Sequence, residues 1–175
     1  AYGEKTAFQF EQKRNMICVS YSAFQKDVEG FGAYLRHEGY AQHRIALLGE
    51  NSYAWILSHF AVACSGNVVV PIDKELSAEE ALELIKASDC SALICSLTYW
   101  DIAEHIRETG MPVYGMDRIN QMVDDGCAFC RENDGNEDYV PGKNDLATIV
   151  FTSGTTGQSK GVMLTHWNFM SDLYA

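Results

Sequence analysis

The stretch Leu146-Ala-Thr-Ile-Val-Phe-Thr-Ser-Gly-Thr-Thr-Gly-Gln-Ser-Lys-Gly-Val-Met-Leu164 decides how this chain reads. Leu146 to Phe151 is a short apolar, β-branched run that predicts a buried strand, and Val162-Met163-Leu164 is a second short apolar run that reads as a flanking strand. Between them stand three glycines, five hydroxyl side chains and one lysine. Gly154, Gly157 and Gly161 allow positive φ at little steric cost and clear Cβ atoms away, so backbone N–H groups can converge on a ligand. Thr152, Ser153, Thr155, Thr156 and Ser159 can donate O–H bonds, and Lys160 adds a point charge. Donors without acceptors, a cation and open backbone suit a polyphosphate.

Two familiar phosphate loops do not match. The Walker A pattern needs Gly before its Lys and Ser or Thr after it, but Ser159 precedes Lys160 and Gly161 follows. The dinucleotide pattern GxGxxG fails because the loop holds no Gly-x-Gly. Thr152-Ser153-Gly154-Thr155-Thr156-Gly157-x-x-Lys160-Gly161 instead resembles, position by position, the phosphate-binding loop of the adenylate-forming enzymes. That superfamily comprises acyl-CoA synthetases, luciferases and peptide-synthetase adenylation domains. A common member has Pro where this chain has Ser159, a position that shapes the turn. Arg44 to Ser52 and Val69-Val-Pro-Ile-Asp73 resemble a second conserved region of the superfamily, and Asn144-Asp145-Leu146-Ala147 leads into the loop as it does there. Thr155-Thr156 and Val162 to His166 are closer to acyl-CoA synthetases, with a long-chain fatty acid ligase as the first candidate.

The rest of the chain supplies the frame. Ala7-Phe8-Gln9-Phe10 and Met16-Ile17-Cys18-Val19, around a polar turn, predict a small N-terminal β-hairpin. Ser22 with Gln25 three residues on predicts a capped helix carrying Phe24, Val28, Phe31 and Leu35 on one face and stopping at Gly39. Arg44 to Gly49 reads as a strand buried on both faces. Ser52 to Ser65 reads as an apolar helix ending at Gly66, with His59 a partly covered polar residue beside Trp55 and Phe60. Val68 to Pro71 is the next strand. A Ser77/Glu80 capping box then opens a helix to about Ser88, with Ala81, Leu84 and Ile85 inward. Ala92 to Cys95 is a strand, Tyr99 to Thr109 a helix closed by Gly110 and Pro112, and Val113 to Gly115 a short strand. This rhythm gives an α/β fold: βαβ units forming a mostly parallel sheet with flanking helices. Residues 117–145 read as a long, acidic, solvated connection. Thr165 is the expected N-cap of a further helix from His166.

Composition narrows the function classes. The net charge of −11 argues against nucleic acid or an anionic membrane as partner. No apolar run reaches the length of a membrane span. There is no signal segment and no glycosylation sequon, in keeping with a cytoplasmic origin. The chain lacks an initiator Met, which fits a start inside a longer gene product or after a cleaved tag. Among the six cysteines, Cys18, Cys64, Cys90 and Cys95 read as small core residues. Cys127-Ala-Phe-Cys130 lacks the second ligand pair a zinc site needs and reads as ordinary reduced thiols.

The resemblance implies more. Residues 1–175 would be the N-terminal portion of the large AMP-binding domain of an ATP-dependent acyl-CoA synthetase. Thr152, Ser153, Gly154, Thr155, Thr156, Gly157 and Lys160 would hold the ATP phosphates, with Mg²⁺ bound through ATP and CoA as co-substrate. A carboxylic acid, with fatty acids foremost, would be activated as an acyl-adenylate and passed to the CoA thiol. The superfamily's adenine pocket, acyl pocket, magnesium-binding carboxylate and C-terminal lysine would lie beyond residue 175. The piece alone is therefore expected to be inactive, with no catalytic residue of its own. A sheet cut after its loop also exposes apolar surface and a free edge, so self-association is expected. Two alternatives stay open: a stand-alone nucleotide-binding or interaction module, and a piece of a peptide-synthetase adenylation domain.

Overall fold

The structure, a computed structural model, describes residues 2–12, 14–132, 140–152 and 160–174. Two strands, β1 (Thr6–Gln12) and β2 (Asn15–Ser20), pair antiparallel as the expected hairpin. The chain then alternates: α1 (Tyr21–His37), β3 (Arg44–Leu48), α2 (Tyr53–Cys64), β4 (Val68–Pro71), α3 (Ala78–Ala87), β5 (Cys90–Cys95), α4 (Trp100–Arg107), β6 (Val113–Gly115), α5 (Ile119–Glu132), β7 (Leu146–Thr152), β8 (Lys160–Thr165) and α6 (His166–Tyr174). The main sheet has the order β6-β5-β3-β4-β7-β8. The first five strands run parallel, and β8 returns antiparallel to β7.

Strand side chains alternate between faces, and the core divides accordingly. Ile45 and Leu47 of β3 face α1, α2 and α5, packing with Phe31, Leu35, Leu57 and Val123. Ala46 and Leu48 face α3 and α4, packing with Ile85, Leu93 and Ile106. A strand buried on both faces must be apolar throughout, which is why Ile45 to Leu48 shows no polar alternation. Each fully buried Leu or Ile contributes roughly 1.5–3 kcal/mol.

The helix boundaries follow from local chemistry. Ser52 Oγ accepts the Trp55 N–H at 3.1 Å, and Ser77 with Glu80 forms the expected reciprocal box. Leu84, expected inward on α3, is only half-buried, while Ala81 and Ile85 are fully covered. Gly39 at φ +90° and Gly66 at φ +86° end α1 and α2 in backbone that side chains with a Cβ rarely adopt.

Several expectations need correction. The N-cap of α1 is Ser20, whose Oγ accepts from Ala23 N at 3.2 Å. The β2 strand runs into the helix without a linker, so the cap falls two residues early. Ser22 Oγ instead donates to the Gly3 carbonyl, and Gln25 donates to Glu29 one turn on. Much of the supposed acidic connection is helix α5, whose Ile119, Met122, Val123 and Gly126 are buried against α1. Residues 133–139 lie outside the described residues. A Cβ on Gly126 would overlap the Gly30 carbonyl and stand 2.7 Å from Tyr34 N, so the two helices cross almost backbone to backbone there. Cys18 and Cys64 are exposed, whereas Cys90 and Cys95 are buried as expected. Burial pushes both core thiols up to about 12, which keeps them protonated and unreactive. No described helix is long and apolar enough to cross a membrane.

Candidate functional site

The five parallel strands end together, so Leu48, Pro71, Cys95, Gly115 and Thr152 share one edge of the sheet. Ligands of open α/β sheets gather at this carboxyl edge. The segment 153–159 leaves that edge from the end of β7 and returns at the start of β8. Thr152 and Lys160 lie directly opposite each other at its two ends, and both are exposed. Ser153, Gly154, Thr155, Thr156 and Gly157 lie outside the described residues. The glycine expected at positive φ, Gly161, is instead a strand residue of β8 paired with Phe151. Its missing Cβ matters for space: one placed there would meet Ile149 Cγ2 at 3.0 Å and the Phe151 ring at 3.3 Å.

The hairpin is tied at its base. Thr148 Oγ1 donates to the Val69 carbonyl at 2.8 Å, joining β7 to β4 where those strands pair. Asp145 Oδ2 accepts from Gly142 N at 2.8 Å, and its carbonyl accepts from His166 N at 3.0 Å. Thr165 and Asn168 cap α6 mutually: Asn168 Oδ1 accepts from Thr165 N at 2.8 Å, and Thr165 Oγ1 accepts from Asn168 N at 3.3 Å. Lys143 Nζ sits 5.6 Å above the Trp167 ring. The expected N-cap at Thr165 is therefore present. The expectation of a buried strand holds for Ala147 to Ile149 but not for Val150, which is exposed; on the partner strand Val162 and Met163 are exposed too.

Two further features border the same region. Ser96 Oγ donates to Glu50 Oε2 at 2.5 Å across the ends of β5 and β3. That hydrogen bond holds the Glu50 carboxyl below its usual range, against an opposing effect of burial. Neither residue stood out in the sequence; the available signal was a polar residue directly after each apolar strand run. Between α2 and α6 lies an apolar groove of about 520 Å³, lined by Trp55, His59, Phe60, Phe169 and Met170 among others. His59 stacks on Trp55 at 5.5 Å and is held neutral by burial, which lowers its pKa. Its buried Nδ1 has no hydrogen-bond partner among the described residues. Burial likewise lowers His166, with the charge of Asp145 opposing. Among the described residues, no group of three His, Cys, Asp or Glu side chains is placed to hold a metal.

A sequence profile described as "AMP-binding enzyme" matches residues 1–175. The chain belongs to the AMP-binding enzyme family. Among its relatives is a crotonobetaine/carnitine–CoA ligase of Salmonella typhi, 29% identical over 178 residues and covering 95% of this chain. The chain spans only 34% of that ligase. Among solved structures, the N-terminal domain of FACL13 from Mycobacterium tuberculosis superposes with TM-score 0.72 at 27% identity, over 86% of this chain and 38% of that one. ATP-bound MatB from Rhodopseudomonas palustris matches with TM-score 0.72 at 26% identity, over 97% and 34% respectively. A fatty acyl-adenylate ligase from L. pneumophila gives TM-score 0.76 over 97% of this chain and 29% of that one; at 20% identity it supports the fold. The mostly parallel α/β architecture with its small antiparallel hairpin thus agrees with the family.

Proposed function

We propose that this member of the AMP-binding family supplies the triphosphate-holding segment of an ATP-dependent acid–thiol ligase, an acyl-CoA synthetase with a fatty acid as its carboxylic acid substrate. The observation that carries this reading is Thr152 facing Lys160 across the ends of segment 153–159 at the carboxyl edge of the sheet. Ser153, Gly154, Thr155, Thr156 and Gly157 would complete the phosphate cradle, as their residue types suggest.

In the first half-reaction the substrate carboxylate attacks the α-phosphorus of ATP. A new P–O bond forms as the bond to the β-phosphate breaks, and pyrophosphate leaves. Negative charge then grows on the leaving oxygens, where the Lys160 ammonium and the loop's donors would be fixed in place. Each charge-assisted hydrogen bond of this kind is worth roughly 1.5–3 kcal/mol. In the second half-reaction the CoA thiolate attacks the acyl carbon and AMP leaves with the electron pair.

Mg²⁺ takes hard oxygen ligands. The described mouth offers a hydroxyl and an ammonium, which suit phosphate oxygens, so Mg²⁺ would arrive on the triphosphate and bridge its charges. The 175-residue chain is read as a holder of ATP that does not complete either half-reaction alone. Exchange of labelled pyrophosphate into ATP by the protein that carries this chain tests the reading. Exchange stimulated by fatty acids and lost in Lys160→Ala is expected. No exchange with any carboxylic acid would overturn it.

A further inference from the structure

We infer that Gly161 is a positioning residue for Lys160: the Phe151 ring folded over it fixes the register of β7 against β8, and that register aims the lysine at the phosphates. The inference rests on the phosphate-loop reading for its purpose, but its geometry stands on the hairpin alone.

Register matters unusually here. Side chains alternate along a strand, so a slip of one residue moves every side chain to the other face. Ile149 and Phe151 point into the core shared with α3 and α4. Thr152 and Lys160, one step further along, therefore lie on the opposite face with Val150 and Val162, which are exposed. A slip of β8 by one residue would turn Lys160 away from Thr152.

The specific ties that oppose such a slip sit at the base of the hairpin, where the Asp145 carbonyl accepts from His166 N. Among the described strands β8 lies at the edge of the sheet, pairing with β7. Val162 and Met163 are exposed, 44% and 68%, so burial does little to hold them. The register is also shifted near the hairpin base, between Leu146 and Thr148, so one residue of β7 is unmatched there. An irregularity at the base pins that end. The mouth needs its own restraint.

The Phe151–Gly161 pair provides it. The two residues are directly paired, and a Cβ on Gly161 would stand 3.3 Å from both Cε1 and Cζ of the ring and 3.0 Å from Ile149 Cγ2. The ring therefore lies across the glycine backbone and covers it, as aromatic residues do opposite glycines in strands. After a one-residue slip the ring would meet Lys160 or Val162, each with a Cβ in that space. The glycine after the lysine thus gives the ring a seat free of any Cβ in this register, a seat that either neighbour would fill only by moving the ring aside. This also explains why Gly161 is extended, although its setting in a glycine-rich loop suggested a turn.

The test compares the protein that carries this chain, as wild type, with Gly161→Val and the double variant Gly161→Val/Phe151→Ala, each by two measurements. The first is the cross-strand NOE pattern that places Thr152 opposite Lys160. The second is the dissociation constant for ATP, with the thermal midpoint as a control for folding. In Gly161→Val the Thr152–Lys160 contact should be lost and ATP binding weakened about tenfold, the loss of one well-placed charge-assisted contact. The double variant, which frees the space, should recover both. A Gly161→Val chain that keeps the contact and the wild-type affinity overturns the inference. Affinity lost equally in both variants while the contact persists overturns it as well. A wild-type protein carrying this chain that holds the contact yet binds no ATP sinks the phosphate reading, and leaves the register lock standing.

Discussion

Strands β3 and β8 are both short and mostly apolar, and they meet opposite fates. Four of the five β3 residues are buried, whereas four of the six β8 residues are exposed. β3 lies inside the sheet with helices over both faces. Among the described strands β8 is at the edge of the sheet. Stability is concentrated in the first region and the candidate chemistry in the second. A phosphate loop at this position would need to reach solvent and substrate, and β8, which would carry it, is the least buried strand of the main sheet and is tied at its base by a few specific contacts.

Mutations can break that contrast. The largest loss is expected from Leu47→Ala, which empties a fully buried site between α1, α2 and α5. It should cost roughly 2–5 kcal/mol by denaturant unfolding. Next is Gly126→Ala, whose new methyl would overlap the Gly30 carbonyl where α1 and α5 cross. Overpacking against backbone costs about 1–3 kcal/mol, because the helices must separate. Smallest is Met163→Ala on the exposed face of β8, expected within about 0.5 kcal/mol. A Met163→Ala loss as large as that of Leu47→Ala would erase the distinction between the two regions.

How much of this was legible in the sequence divides along the same line. Continuous apolar runs such as Ile45 to Leu48 and Ala92 to Cys95, with Ser52 and Ser77 as caps, announced the parallel core, because double burial leaves a direct mark on composition. Helix α5 was hidden. Its apolar positions Ile119, Met122, Val123 and Gly126 recur at helical spacing, but Asp124 and Asp125 interrupt them and the neighbouring residues 132–138 are acidic or polar. Its closest contact is made by two glycines, which carry no hydrophobic signal. The first cap was misplaced because Ser20 and Ser22 are chemically equal, and only the length of β2 decides between them. At the candidate site Thr152 and Lys160 come from the loop's residue types together with the family resemblance, and the hairpin sets them face to face. The role of Gly161 was not legible, since positive φ and close approach of a ring both call for glycine.

The claim on which the functional account depends is that Lys160 holds the triphosphate. Calorimetric titration of ATP into the protein that carries this chain, as wild type and as Lys160→Ala, tests it most directly. Binding by the wild type, with at least a tenfold loss in the variant at an unchanged thermal midpoint, is the predicted result for a charge-assisted phosphate contact. Equal affinities in the two chains would contradict it.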